Sequence, residues 1–240
     1  MRALRVVLIS AIVSFASMSA TVRADGIICK LPEDGAWVRY ASEGKGIGTN
    51  GAVRISVSGT VTVSSVGRET VNGEACRWIE IEMASKFKRG NSEGEMTELY
   101  KLLIPETHLT KGENPRDHVV NAMAKQIMKG PDGKVKEVDR TGSASDLIKS
   151  LDELFQPPFP NVTKLDPMEI DTKLGKLPCA GEKGDDGKGF STEVRLHDNA
   201  PFGVVTYQYE KARPDGSKRM MSLKLSDFGK DAKSKFPKAP

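Results

Sequence analysis

The sequence predicts a mainly β protein of the α+β type: a curved antiparallel sheet, or open half-barrel, covered by two central α-helices. Three observations predict it. Apolar and polar residues alternate over 36–105 and again over 193–225, the two-residue period of strands with one buried face. Turn residues punctuate both regions. Between them lie two stretches with apolar residues at helical spacing. A single sheet of about eight to ten strands, curved around the helices, accommodates these runs.

Taken in order, Val53, Ile55 and Val57, then Val61 and Val63, alternate with serine, threonine and arginine. Ser64-Ser65 breaks the phase, which suggests a bulge. Asn72-Gly73 suits a two-residue hairpin turn, where both positions need positive φ. In the next strand Ile79, Ile81 and Met83 share one face, and Glu80 and Glu82 share the other, read as solvated. Tyr100, Leu102 and Ile104 alternate within ELYKLLIP.

The first helix is expected at about 114–129. Asn114 caps it, Pro115 takes the first position, and Val119, Val120, Met123 and Ile127 form its stripe before Gly130-Pro131. The second is expected at about 144–155, with Leu147, Ile148, Leu151, Leu154 and Phe155 on one face and Pro157-Pro158 as its stop. Strands then return through Val194, Leu196, Val205, Tyr207 and Tyr209. Pro214-Asp215-Gly216 turns the chain into Met221, Leu223 and Leu225.

Residues 1–24 read as a signal peptide: Arg2 and Arg5, then the apolar run VVLISAIVSFA, then Val22-Arg23-Ala24 before the cut. Cleavage after Ala20 is the alternative. The run is well short of the ~20 residues that span a bilayer. Ile28 precedes Cys29 where a lipoprotein signal needs a small residue, so no lipid anchor is expected. Residues 25–240 then form a single β-rich domain, exported to the periplasm or beyond and soluble. Losing Arg2, Arg5 and Arg23 leaves 33 basic against 32 acidic residues, a net charge of +1. Such a balance offers no electrostatic reason for a nucleic-acid partner. Lysines 230, 233, 235 and 238 read as a solvated, partly frayed tail. No feature indicates the oligomeric state.

Three cysteines remain after cleavage. Cys76 opens a strand-like run and reads as a small buried hydrophobe. Cys29 and Cys179 lie in loop contexts, so a Cys29–Cys179 disulfide with Cys76 left as a thiol is the expected arrangement.

Two motifs invite chemistry and fail on context. Gly46-Ile47-Gly48-Thr49-Asn50-Gly51 fits the dinucleotide pattern, but that pattern needs a strand before it and a helix after. Here VRISVSGTV, a strand, follows, so the glycines read as a flexible link between strands. Gly90-Asn91-Ser92-Glu93-Gly94 fits the nucleophile elbow of α/β-hydrolases, with His197 and Asp166 or Asp171 as partners. The run before it, Lys86-Phe87-Lys88-Arg89, is too charged for a buried strand. A serine hydrolase using Ser92 is therefore the remote alternative, and Ser92 reads as a surface residue of a hairpin loop. His108, His118 and His197 show no metal-ligand spacing, and Asp185-Asp186-Gly187 lacks the rest of a calcium loop. No catalytic residue, metal or cofactor is expected.

The stretches CKLPEDGAWVRY, CRWIEIEM, YKLLIPE, NPRDHVV, GKLPC, APFGVV and LSDFGKDAKSKFP resemble those of uncharacterised exported proteins of planctomycete-like bacteria, a resemblance that implies no activity. The order of strands, two helices and strands is also similar to periplasmic lipoprotein carriers of LolA/LolB type. That similarity implies a half-barrel whose helices cover an apolar hollow. Two functions follow as expectations. One is a non-catalytic module binding a lipid or other apolar ligand. The other is a cell-envelope structural or interaction protein with a filled core. Whether Trp37, Tyr40, Trp78, Met123, Leu151, Phe155 and Tyr207 line a hollow or pack solidly separates them.

Overall fold

The structure, a computed structural model, describes residues 26–111, 113–129, 134–140, 142–155 and 159–236. The expected leader, Gly130-Pro131, Pro157-Pro158 and Lys238 lie outside the described residues. Among the described residues eleven strands form one antiparallel sheet: β1 (Trp37–Ile47), β2 (Val53–Val71), β3 (Glu74–Arg89), β4 (Ser92–Pro105), β5 (Asn121–Lys129), β6 (Val135–Arg140), β7 (Asn161–Thr172), β8 (Gly175–Asp185), β9 (Phe190–Leu196), β10 (Val204–Ala212) and β11 (Lys218–Gly229). Their spatial order is β6-β5-β4-β3-β2-β1-β11-β10-β9-β8-β7. Two meanders therefore meet where β1 pairs with β11, and the crossover from β6 to β7 runs between the two open edges.

Turn chemistry sets the hairpins. Asn72 and Gly73 take φ of 50° and 83°, the left-handed pair that a two-residue turn requires. The glycine motif joins β1 to β2 through bonds from Gly48 N to Ala52 O and from Gly51 N to Gly48 O. It is a strand connection, as its context indicated. Register shifts at Arg39/Tyr40, Gly46/Ile47, Ser65/Arg68 and Leu165/Met168 bend the strands. The third of these adjoins the phase break at Ser64-Ser65. At Gly59 a Cβ would stand 2.0 Å from the Ala84 carbonyl oxygen, so only glycine lets β2 and β3 approach there.

The predicted cover of two central helices is not what forms. Residues 121–129 are strand β5, paired with Leu103–Glu95 of β4. The predicted cap is real but short: Asn114 Oδ1 accepts from Arg116 N, and a single 3-10 turn spans Pro115–His118. Met123 and Ile127 are four residues apart, a spacing that puts them on one side of either a helix or a strand. The free edge of β4 decides between the two, because its unpaired backbone groups need partners. Of the second helix only α2 (Ala144–Lys149) is α-helical, capped by Ser143, and turns follow it. Its predicted apolar face holds, since Leu147, Ile148, Leu151, Leu154 and Phe155 are all buried. A further helix, α1 (Glu106–Thr110), follows β4.

The core fills one end of the concave face. Tyr40, Val61, Val63, Ile79, Ile81, Tyr100, Leu102, Tyr207 and Leu225 pack there with Ile27, Ile28 and the crossover segment. The crossover is tied down by bonds from Ile27 N to Leu154 O and from the Tyr207 hydroxyl to Glu153 O. Arg77, fully buried, closes this end: it donates to Glu106 Oε1, to Pro32 O and to Ser65 Oγ.

The convex face carries a strap that the tail reading missed. Ala232 N donates to Gly35 O, Trp37 Nε1 to Asp231, and Ser234 Oγ and Lys235 N to Glu80. Glu80 is 4 % exposed beneath it and pairs with Lys101 at 3.6 Å. The predicted solvated face at Glu80 is thus a covered ion pair, with the Lys101 ammonium 5.1 Å from the centre of the Trp78 ring.

The expected Cys29–Cys179 bridge does not form, and all three cysteines are buried thiols outside any disulfide. Cys29 is held against Gly203 and Gly26, whereas Cys179 lies within β8, opposite Met168 of β7. Neither stands in a loop free to reach the other.

Candidate functional site

Opposed residues of an antiparallel pair share a face, so the concave face can be followed strand by strand. Tyr40 stands between Val61 and Leu225, and this row is solid. The next inward residues of β1 are Ser42, Gly44 and Gly46, which carry little or no side chain. Gly44 faces Val57 on one side and Met221 on the other, and Gly46 faces Ile55 and Arg219. Tyr209 opposes Met221 from β10. Between these walls lies a trough of about 420 Å³, within the ~300–1,000 Å³ typical of small-molecule clefts.

The charge at its mouth is one-sided. Lys45, Arg54, Arg89, Arg213, Lys218 and Arg219 line it, against a single carboxylate, Asp215. Lys218 and Arg219 are engaged by Glu210 and Glu153, at 2.7 and 2.9 Å. Arg54, Arg89 and Arg213 make no salt bridge among the described residues, though Arg213 and Arg54 lie near enough to Asp215 to favour its charged form. Arg54 folds across the turn at Gly48, where a Cβ would stand 2.1 Å from its Nε. Bonds from the Ser217 hydroxyl and N–H hold the Asp215 carboxyl below its ordinary pKa. At the inner end Tyr209 donates to Glu153, and burial, then Glu153, push its phenol upward. Chemically the trough offers apolar walls, a buried hydroxyl and an excess of guanidinium groups over carboxylates, which suits binding an amphiphile with an anionic head.

None of the seven residues whose packing separates a hollow from a filled core lines this trough. Tyr40, Leu151, Phe155 and Tyr207 pack in the solid core. Met123 opposes Lys101, on the convex side. Trp37 and Trp78 donate to Asp231 and Glu69, with Arg39 and Lys101 against their rings. The trough residues had a sequence signal that went unused: Ser42-x-Gly44-x-Gly46-x-Gly48 places small residues at every second position, hence on one face of a strand.

Ser92 begins β4 and pairs with Arg89 across a hairpin turn at Gly90 and Asn91. Strand follows it where a nucleophile elbow needs a helix. Neither His197 nor a carboxylate bonds to it among the described residues. His197 Nδ1 accepts from Asn199 N in the β9–β10 loop. Asp185 and Asp186 are used by Gly187 N, Lys188 N and Phe190 N to shape their turn.

No protein-family model matches the chain, and no curated protein does. The proposed kinship with planctomycete-like exported proteins therefore gains no support from either. Among solved structures, it is similar to a β-barrel-like protein of a domain of unknown function from Brucella abortus, with 10% identity, a TM-score of 0.30, and coverage of 84% of this chain and 98% of that one. A protein from Bacteroides fragilis, described as exported and of YmcC-like fold, shows 7% identity and a TM-score of 0.30 over 85% of this chain and 100% of its own. An outer-membrane lipoprotein-sorting protein domain from Vibrio parahaemolyticus shows 10% identity and a TM-score of 0.19, over 82% and 86%. At these TM-scores none of the three carries an argument about function. Among the described residues no helix is long and apolar enough to cross a membrane.

Proposed function

We infer that the protein is an exported, non-catalytic binding module that holds an anionic amphiphile, a fatty acid or anionic lipid, in the trough. Export rests on the leader-like segment, and the module comprises residues 25–240 as one β-rich domain. The observation that carries the reading is the meeting of two features. Glycines empty the concave face beside Ile55, Val57 and Met221, and Arg54, Arg89 and Arg213 gather at its mouth with only Asp215 against them. An acyl chain gains by leaving water, at ~0.8 kcal/mol per buried methylene. Its head group gains charge-assisted bonds to guanidinium.

Thermal shift with dodecanoate, lysophosphatidylglycerol and uncharged dodecanol tests it. The two anions are expected to raise Tm, by mass action worth ~2.7 kcal/mol at a hundredfold excess over Kd. Dodecanol should do so less. Gly44→Leu should abolish the shift, since a Cβ there meets only Met220 O at 3.3 Å and Val57 Cβ at 3.7 Å. Arg54→Glu with Arg213→Glu should remove the preference for anions. No shift with any amphiphile, or a shift that survives Gly44→Leu, overturns the reading.

The open edges favour a second reading, an envelope interaction protein without a small ligand. β6 and β7 each pair on one side only among the described residues, and they expose Val135, Val138, Val162 and Met168. Such edges accept an added strand. Complementation of a deletion strain separates the two: Gly44→Leu would be silent here, and Val138→Lys or Val162→Lys would not.

A further inference from the structure

The connection from β4 to β5, at the filled end of the sheet and apart from the trough, brings together three residues that sequence spacing left unrelated. His108 lies in α1, His118 ends the 3-10 turn, and Glu113 lies between them. The backbone folds back through a bond from Glu113 N to His108 O at 3.0 Å. The two imidazoles consequently stack, with centroids 3.5 Å apart and planes 7° from parallel. Nδ1 of His108 stands 2.5 Å from Glu113 Oε2, and Nε2 of His118 stands 3.2 Å from the same oxygen. One ligand atom from each residue lies within 4.8 Å of the others, and all three side chains are half-buried, open to solvent on one side.

We propose that His108 Nδ1, His118 Nε2 and the Glu113 carboxylate bind a divalent transition-metal ion of the zinc class, with water in a fourth position. Two nitrogen donors and one oxygen suit zinc, whereas calcium and magnesium take oxygen ligands. Zinc holds nitrogen at ~2.0–2.1 Å and in the plane of each ring, so binding requires the stacked rings to splay toward the ion and the carboxylate to withdraw and ligate it. Lys111, 3.9 Å from the other oxygen of Glu113, favours a carboxylate that binds through one oxygen. The site ties α1 to the 3-10 turn ahead of β5, and it is independent of what the trough binds.

The test is zinc binding by the untagged protein, measured by isothermal titration and by metal analysis after gel filtration. One ion per chain is expected, lost in His108→Ala and His118→Ala and weakened in Glu113→Gln, while His197→Ala keeps it. Cobalt(II) should give the intense visible absorption of a four-coordinate ion in the unaltered protein, so the proposal is decided even where a variant does not fold. No bound zinc, a six-coordinate cobalt spectrum, or binding that survives His118→Ala overturns it.

Discussion

Tyr40, Tyr100, Tyr207 and Tyr209 are the four tyrosines of the chain, and burial holds each phenol above its ordinary pKa. Nearby groups add to the effect: Cys29 at Tyr40, Glu98 at Tyr100, Tyr209 at Tyr207 and Glu153 at Tyr209. In the unfolded chain these phenols titrate near ~10. Above that pH the unfolded state has lost protons that the folded state keeps, so stability falls as pH rises. Below it the contribution is fully present. Ultraviolet titration should therefore show little tyrosinate until an alkaline unfolding transition, where all four ionise together. Tyrosinate growing smoothly through pH 10 with the fold intact would contradict the buried hydroxyls. Their burial was only half legible: alternation put Tyr100, Tyr207 and Tyr209 on strand faces, but not at the filled end.

At the level of elements, local chemistry was legible wherever a turn decided the outcome. Asn72-Gly73 predicted a hairpin and makes one, with nothing within 4 Å of a Cβ built on Gly73. Gly73→Ala therefore isolates the cost of the left-handed conformation, expected at roughly 1–2 kcal/mol in urea unfolding. A change under a few tenths would mean that the turn relaxes to another type. Residues 121–129 show the opposite case. Their apolar spacing satisfied two periods at once, and Leu103–Glu95 of β4, distant in sequence, selected the strand. Pairing of that kind leaves no mark in a local window.

For the molecule as a whole, the segment after β11 closes the convex face over Glu80 and Lys101. Lys101 also donates to Ser234 at 2.8 Å. Lys101→Met should cost roughly 3 kcal/mol, because Glu80 stays buried without its cation. Adding Glu80→Leu should recover most of that loss, since a buried pair replaced by apolar residues is often neutral. A double variant as unstable as the sum of both singles would show that the pair itself stabilises the fold. No reading of the tail as a solvated lysine run could anticipate this, because its partners lie about 150 residues earlier, at Glu80 and Glu82.

By itself the sequence determined the β character, the hairpin turns, the bulge near Ser65 and the place of both glycine-bearing motifs at strand connections, since each rests on neighbouring residues and backbone sterics. Gly46 and Gly48, the first two glycines of the motif that failed as a nucleotide loop, line the trough together with Gly44. Only the tertiary structure could decide that. A glycine leaves a hollow only when the strands on either side are known, and an excess of arginine over acid shows only when the surrounding carboxylates have been placed. The placement of His108 and His118 about Glu113 is of the same kind: a chain reversal built it, and no fixed spacing records one.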